Sequence, residues 1–138
     1  MFLREMNPAD KLALTYDATA ENVSLARAAI ARLGEALGAE EPVLSDLKTV
    51  VTEACANVVL HAYPDRDGHF ELEAFPEEGE LAITVRDFGA GLWPDLRTQD
   101  ESSMRIGLGL ISQLSSHFGI GSGPHGGTEV RMRVRLTG

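Results

Sequence analysis

The sequence predicts an α+β fold, a two-layer α/β sandwich in which a mixed, mostly antiparallel sheet is covered on one face by three helices. Apolar residues recur at helical spacing in two consecutive segments, residues 19–37 and 42–62. Two alternating segments, residues 69–75 and 80–87, flank a short turn and read as a hairpin. Helices grouped beside hairpin-linked strands bury their apolar stripes on one side of a sheet.

The first strand and the first helix lie near the N-terminus. Residues 11–16 alternate, with Leu12, Leu14 and Tyr16 on one face, which predicts a strand. Thr19 is placed to cap the helix that follows, and Gly38 is placed to end it. The helix carries its apolar residues at Val23, Ala26, Ile30, Leu33 and Leu37.

The second helix leads into the predicted hairpin. Pro42 suits the first helical turn, because its missing N–H group has no partner there. A turn over residues 64–68 precedes the strands, and residues 76–79 connect them. The apolar stripe of this helix comprises Leu44, Leu47, Val51, Ala54, Val58 and Ala62.

The C-terminal half begins with residues 88–106, which lack a regular period. A loop of that length inside a compact domain usually has a function. A third helix over residues 108–117 and closing strands over residues 118–121 and 128–136 complete the prediction. The predicted order is therefore βααββ, a loop, then αββ.

Composition limits the class of protein. The 138 residues suit a single domain, residues 1–138, with residues 1–10 as a loose leader. A formal net charge of -9 disfavours direct nucleic-acid binding, which requires a basic surface. The single cysteine, Cys55, excludes a disulfide within the chain. With neither a signal-like segment nor an apolar run of about 20 residues, we expect a cytoplasmic protein away from membranes.

A polar row lies on the second predicted helix. Glu53, Asn57 and His61 stand at i, i+4 and i+8, so they share one helix face. At roughly 100° per residue, this row borders the apolar stripe instead of opposing it. It could face a pocket at the edge of the core, or it could be a solvated edge; the spacing leaves both open.

Asp87 ends an apolar row of the strand over residues 80–87. A carboxylate on such a face is costly unless it is hydrogen-bonded. Gly89 and Gly91 follow, and glycines let a ligand approach the backbone closely. An ionised aspartate only accepts hydrogen bonds, so Asp87 could receive the exocyclic amine of adenine. The alternative is an Asp-Gly turn after a strand.

Two further glycine motifs occur near the C-terminus. Gly107 and Gly109 open the third predicted helix, and a helix N-terminus favours phosphate. Arg105 precedes them and could add a bidentate contact. The alternative is a glycine hinge. Thr128 follows two glycines and starts a strand with one apolar face, while the opposite row of that strand reads as half-solvated.

Taken in order, these motifs resemble those of the GHKL ATPase superfamily with its Bergerat nucleotide fold, over nearly the whole chain. Neither a Walker motif nor a dinucleotide-binding glycine motif is present in the sequence. The resemblance is carried by Glu53-Ala54-Cys55-Ala56-Asn57, Asp87-Phe88-Gly89-Ala90-Gly91, Gly107-Leu108-Gly109-Leu110 and Gly126-Gly127-Thr128. Within the superfamily, the chain is most similar to the anti-sigma factor serine kinases of the RsbW and SpoIIAB type. Residues 20–27, residues 46–54 and the run His61-Ala62-Tyr63 carry this narrower resemblance.

The resemblance implies a role for each matching residue. Glu53 would orient or deprotonate a serine hydroxyl, Asn57 would bind Mg²⁺, and Arg27 would contact a partner. Asp87 would bind the adenine amino group with support from Thr128. The implied ATP-binding residues are Asn57, Asp87, Gly89, Gly91, Arg105, Gly107, Leu108, Gly109 and Thr128.

The implied activity is transfer of the γ-phosphoryl group of ATP to a serine of a STAS-fold anti-anti-sigma protein. The same protein would bind and inhibit a sigma factor and would form a homodimer, without direct nucleic-acid or membrane binding. Residues 92–106 would form the ATP lid. Trp93 and an acidic set in that segment depart from the family pattern.

Three other interpretations remain open. The chain could phosphorylate a STAS protein without binding a sigma factor. It could bind ATP only to set an interaction surface, without catalysis. It could also be a domain without a ligand. A sensor kinase core is disfavoured, because His61 lies inside the helix that carries Asn57 and is poorly placed as a phospho-acceptor.

Overall fold

The computed structural model describes residues 11–64, 66–89 and 101–137, without the side chains of residues 101–105. The predicted leader, Gly91 and residues 92–100 of the predicted lid lie outside the described residues. The predicted order of elements is confirmed. The elements are β1 (Leu12–Asp17), α1 (Ala20–Ala36), α2 (Glu41–His61), β2 (His69–Glu77), β3 (Glu80–Asp87), α3 (Glu101–Leu114), β4 (His117–Ser122) and β5 (Thr128–Arg135).

The strands form a five-stranded sheet in the order β1-β2-β3-β5-β4. Every ladder between these strands is antiparallel, so the sheet is antiparallel where a mixed one was expected. One face of the sheet and the three helices share a single hydrophobic core. The predicted two-layer α+β class is confirmed. The largest fully buried side chains include Ile30, Leu37, Leu47, Phe70, Leu72, Leu81, Ile83, Ile111 and Met132.

The opposite face of the sheet is polar and internally paired. Arg86 reaches Glu71 at 2.8 Å and Glu129 at 2.7 Å, and it lies 3.2 Å from Glu73. Burial works to raise the pKa of Glu129, but hydrogen bonds from Arg86 and Arg131 hold that pKa below its usual value. The half-solvated row predicted for β5 is confirmed, except that Glu129 is buried. Among the described residues, the arginines of this face are paired with carboxylates of the same sheet, which reduces the positive charge available to a phosphate backbone.

The ends of α1 follow the sequence prediction. The Thr19 hydroxyl accepts a hydrogen bond from the backbone N–H of Asn22 at 3.3 Å. After α1, Gly38 takes a φ of 86°. Its N–H donates to the Glu35 carbonyl at 3.0 Å, and the Ala39 N–H donates to the Gly34 carbonyl at 2.9 Å. These two bonds form a Schellman motif, which satisfies carbonyls that the helix end leaves open.

The third helix differs from its prediction at both ends. It begins at Glu101 instead of residue 108 and ends at Leu114 instead of residue 117. Glutamate, methionine and arginine are good helix formers, and an interior glycine costs a helix only about 1 kcal/mol. The helix therefore runs through Gly107 and Gly109. No helix in the described ranges is long and apolar enough to cross a membrane.

Several strands are also longer or shifted relative to the prediction. β2 continues to Glu77, so only Glu78 and Gly79 connect it to β3. Both residues have positive φ values, 52° and 79°. That pair of conformations belongs to a tight hairpin turn whose twist matches the flanking strands.

Replacing Gly38 with alanine should destabilise the fold. An L-residue at a left-handed φ costs roughly 1–2 kcal/mol. Gly109→Ala is the matched control, because it makes the same chemical change inside a helix with nothing within 4 Å of the added Cβ. Urea unfolding without nucleotide should show a lower midpoint for Gly38→Ala and an equal or higher midpoint for Gly109→Ala. Equal losses in both variants would contradict the Schellman assignment.

Candidate functional site

The polar row of α2 faces α3. Asn57 is buried, with 4% of its surface exposed, and Glu53 is half-buried. A Cβ built on Gly107 would lie 2.8 Å from Glu53 Oε2 and 3.7 Å from Asn57 Nδ2. The missing side chain at position 107 therefore lets α3 approach both groups. As predicted, the row borders the core.

Two atoms of this row are buried without a hydrogen-bond partner among the described residues. Asn57 Nδ2 and His61 Nε2 make no hydrogen bond to the part of the chain that the structure describes. A buried polar atom left unsatisfied costs about 1–3 kcal/mol. A ligand that bonds to such an atom would remove this cost. The amide of Asn57 suits Mg²⁺ through its oxygen and a phosphate oxygen through its nitrogen.

Asp87 is fully buried, as its place on the apolar face predicted. One carboxylate oxygen, Oδ1, accepts hydrogen bonds from the backbone N–H groups of Gly89 and Thr128, each at 3.0 Å. These bonds reduce the cost of burying the charge and fix the orientation of the carboxylate.

The strand start at Thr128 packs directly on Asp87. A Cβ on Gly127 would lie 2.1 Å from the Asp87 carbonyl oxygen, and Gly127 has a φ of 74°. Only glycine fits such a contact with that backbone conformation. Thr128 itself is fully buried beside Asp87. The predicted pair of Asp87 and Thr128 is therefore brought together at the edge of the core.

Gly89 brings the turn after β3 onto the end of α2. A Cβ at Gly89 would lie 2.1 Å from the carbonyl oxygen of Ala62. Ala62 follows His61 directly, so the turn that holds Asp87 lies against the end of the helix that carries Asn57. Three separate chain segments thus meet in one region: the C-terminal part of α2, the turn after β3 and the start of β5.

The glycines of α3 are placed differently from the prediction. Gly107 and Gly109 lie inside the helix, where intrahelical bonds use the N–H groups. These glycines therefore do not form a helix N-terminus as predicted, and their part in phosphate binding stays a prediction. Gly109 is exposed, and Leu108 packs partly against the core. The Arg105 side chain lies outside the described residues.

A cleft extends the site toward α1. A cavity of about 190 Å³ is lined by Arg27, Lys48, Thr49, Thr52 and Glu53. Arg27 and Lys48 form no ion pair with the described residues, and Thr52 Oγ1 is buried without a hydrogen-bond partner. The sequence prediction included Arg27 and Glu53 but missed Lys48 and Thr52. Lys48 and Thr52 are spaced i, i+4 just before Glu53, and this spacing indicates that they share a helix face.

Other candidate chemistry is absent from the described residues. Across residues 11–64, 66–89 and 101–137, no group of three or more His, Cys, Asp or Glu side chains could hold a metal ion. Cys55 is buried in the core, and burial raises the pKa of its thiol to about 12. It therefore stays protonated and unreactive at neutral pH.

Comparison with known sequences points to one family. A family model described as "Histidine kinase-like ATPase domain" matches residues 16–134. The anti-sigma F factor of Oceanobacillus iheyensis is 29% identical over 137 residues, which cover 93% of this chain and 94% of that protein. The anti-sigma F factor of Geobacillus stearothermophilus is 35% identical over 88 residues, or 63% of this chain and 60% of that protein.

Solved structures agree with the fold. The structure of the RsbU and RsbW domains of a Mycobacterium tuberculosis protein superposes with a TM-score of 0.72 at 26% identity. That match covers 91% of this chain but 32% of the other, so the chain spans about a third of that structure. A histidine kinase domain from Erythrobacter litoralis superposes with a TM-score of 0.56 at 23% identity, over 84% of this chain and 60% of the other, and supports the fold alone.

The sequence-based resemblance to anti-sigma factors of the RsbW and SpoIIAB type is thereby confirmed. The matched family covers all the elements that build the Asn57 and Asp87 region. The chain belongs to the histidine kinase-like ATPase domain family.

Proposed function

We propose that this chain is an ATP-dependent serine protein kinase that also acts as an anti-sigma factor. It would phosphorylate a serine of a STAS-fold anti-anti-sigma protein and bind a sigma factor, which would place it in the cytoplasm. The observation that carries the proposal is the buried Asp87 carboxylate, held by two backbone N–H groups near the end of the helix that carries Glu53 and Asn57. The anti-sigma F factors among its relatives support the partner-switching part.

Asp87 would recognise the adenine base. Its carboxylate would accept a hydrogen bond from the exocyclic amine, and Thr128 would support it from the neighbouring strand. Gly89 and Gly91 would leave room for the base beside the backbone. A purine with an oxygen in place of that amine would face the carboxylate with a second acceptor, so the site would favour ATP over 6-oxo purine nucleotides.

Asn57 would hold the phosphate end together with α3. Asn57 would hold Mg²⁺ through its amide oxygen, and the bound ion would supply positive charge for phosphoryl transfer. Gly107, Leu108 and Gly109 would let phosphate oxygens approach the helix backbone. Arg105, which precedes these residues within α3, would add positive charge.

Glu53 would act on the acceptor serine. The serine oxygen forms a bond to the γ-phosphorus while the bond from that phosphorus to the oxygen of the departing ADP breaks. The hydroxyl proton passes to the Glu53 carboxylate. Glu53 borders the cleft of Arg27 and Lys48, through which the serine-bearing partner would reach it. Arg27 would contact that partner at the rim, and a homodimer would present this surface twice.

Two variants of the proposal differ in their partners and chemistry. A switch kinase would phosphorylate a STAS protein without retaining any sigma factor. A regulatory module would bind ATP without phosphoryl transfer. Pull-down against the sigma factors of the organism separates the first variant, and the kinase assay below separates the second.

Glu53→Gln should lower the rate of phosphoserine formation by about 10²–10⁴-fold, because the amide cannot take the proton. Affinity for Mg-ATP should stay nearly unchanged, since Asn57 and Asp87 are intact. Radiolabelled ATP with STAS proteins from neighbouring genes measures transfer, and isothermal titration calorimetry measures affinity. Asn57→Ala should reduce both quantities.

The control for that experiment is Glu35→Ala, which removes an exposed helical glutamate from α1. It should transfer phosphate at the wild-type rate. If Glu53→Gln matched the wild-type rate as well, the role of base would belong to another group. A wild-type protein that binds Mg-ATP but phosphorylates none of these proteins would favour the regulatory module.

Gly107→Ala should slow phosphoryl transfer by roughly 10- to 100-fold. The added Cβ would lie 2.8 Å from Glu53 Oε2, so the carboxylate would have to move. Gly119→Ala in β4 is the control, because it makes the same chemical change outside the site with nothing within 4 Å of the added Cβ. Gly107→Ala raises helix propensity, so lower helix stability cannot explain a loss at position 107. Equal rates in the two variants would show that Glu53 does not act at this contact.

A further inference from the structure

The turn that follows Asp87 is held by a tyrosine from another part of the chain. The Tyr63 hydroxyl donates a hydrogen bond to the His69 carbonyl at 2.6 Å. The same oxygen accepts one from the Phe88 N–H at 2.8 Å. One hydroxyl therefore ties the segment just after α2 to the start of β2 and to the residue next to Asp87.

Other contacts fix the position of that hydroxyl. A Cβ on Gly68 would lie 2.3 Å from the Tyr63 ring, so the ring is seated directly against the backbone at Gly68. The guanidinium carbon of Arg66 lies 5.5 Å from the centre of the Tyr63 ring. A seated ring with a cation near its face has little freedom to move its hydroxyl.

Phe88 is held through both of its backbone polar groups. Its N–H donates to Tyr63, and its carbonyl accepts a hydrogen bond from Arg66 Nη2 at 3.2 Å. Its ring stacks on His69 with centroids 4.8 Å apart. Phe88 lies between Asp87 and Gly89, and the Gly89 N–H is one of the backbone donors that orient the Asp87 carboxylate. A shift of Phe88 would therefore move one of those donors.

We propose that Tyr63 is a positioning residue for base recognition. By fixing Phe88 it sets the direction of the Asp87 carboxylate, and so the preference for a 6-amino purine over a 6-oxo purine. This inference rests on the proposed binding of ATP and adds the group that determines its base selectivity. Tyr63 would act through the backbone of Phe88.

The test compares Tyr63→Phe with wild type in calorimetric titrations with Mg-ATP and Mg-ITP. The variant keeps the ring on Gly68 and loses only the hydroxyl. We expect its affinity for ATP to fall about tenfold, the scale of one lost hydrogen bond, while its affinity for ITP stays nearly constant. The ratio of the two dissociation constants should therefore shrink by the same factor.

Tyr16→Phe is the matched control. The Tyr16 ring packs on Phe70 with centroids 5.5 Å apart, and its hydroxyl makes no hydrogen bond to the described residues. Removing that hydroxyl should leave both affinities unchanged. Arg66→Gln provides a second test if Tyr63→Phe folds poorly, because Arg66 is exposed and supports the carbonyl of the same Phe88. It should reduce the ATP-to-ITP preference in the same direction.

The outcomes separate this inference from the proposed function. If wild type prefers ATP and both Tyr63→Phe and Arg66→Gln keep that preference, the inference is overturned and ATP binding stands. An equal loss for ATP and ITP also overturns it, since that result describes general destabilisation. If wild type binds neither nucleotide, the proposed function fails and the inference fails with it.

Discussion

The burial of the Asp87 carboxylate is the constraint on which the rest of the site depends. A charge on the apolar face of β3 needs donors, and two come from Gly89 and Thr128, backbone groups 39 residues apart along the chain (128 − 89). The β3–β5 ladder brings the second donor to Asp87, and glycine at position 127 allows the close approach. One small region therefore combines the pairing of β3 with β5, the conformation of the turn and the stabilisation of the buried carboxylate.

Helix α2 joins this region to the core. Its buried stripe packs against the sheet and the other helices, while the neighbouring row presents Glu53 and Asn57 to α3. Functional side chains on a packed helix are held more accurately than those on a loop. The same helix ends at the turn of Gly89. A change in the packing of α2 would therefore move Glu53, Asn57 and Asp87 relative to one another.

Local signals in the sequence predict the features that depend on local physics. The Thr19 cap, the Gly38 end of α1 and the inward direction of Asp87 each follow from the residue itself or from alternation. The start of α3 does not follow from local signals. Residues 101–106 favour a helix, whereas the two glycines that follow disfavour it slightly, and packing on α2 decides between these two effects. The role of Tyr63 does not follow from local signals either, since its partner Phe88 lies 25 positions further along.

The distribution of charge explains how an acidic protein could attract an anionic ligand and a protein partner. On the polar face of the sheet, Arg86 and Arg133 are held by carboxylates of the same sheet and add little outward field. Arg27 and Lys48 lack such partners among the described residues and stand beside Glu53 in one cleft. The whole chain has a net charge of -9. The two cations of this cleft, which lack ion-pair partners among the described residues, therefore make it a locally positive site that favours negative groups. An incoming partner with acidic residues near its serine would therefore be steered toward Glu53, and this attraction would weaken as salt is added.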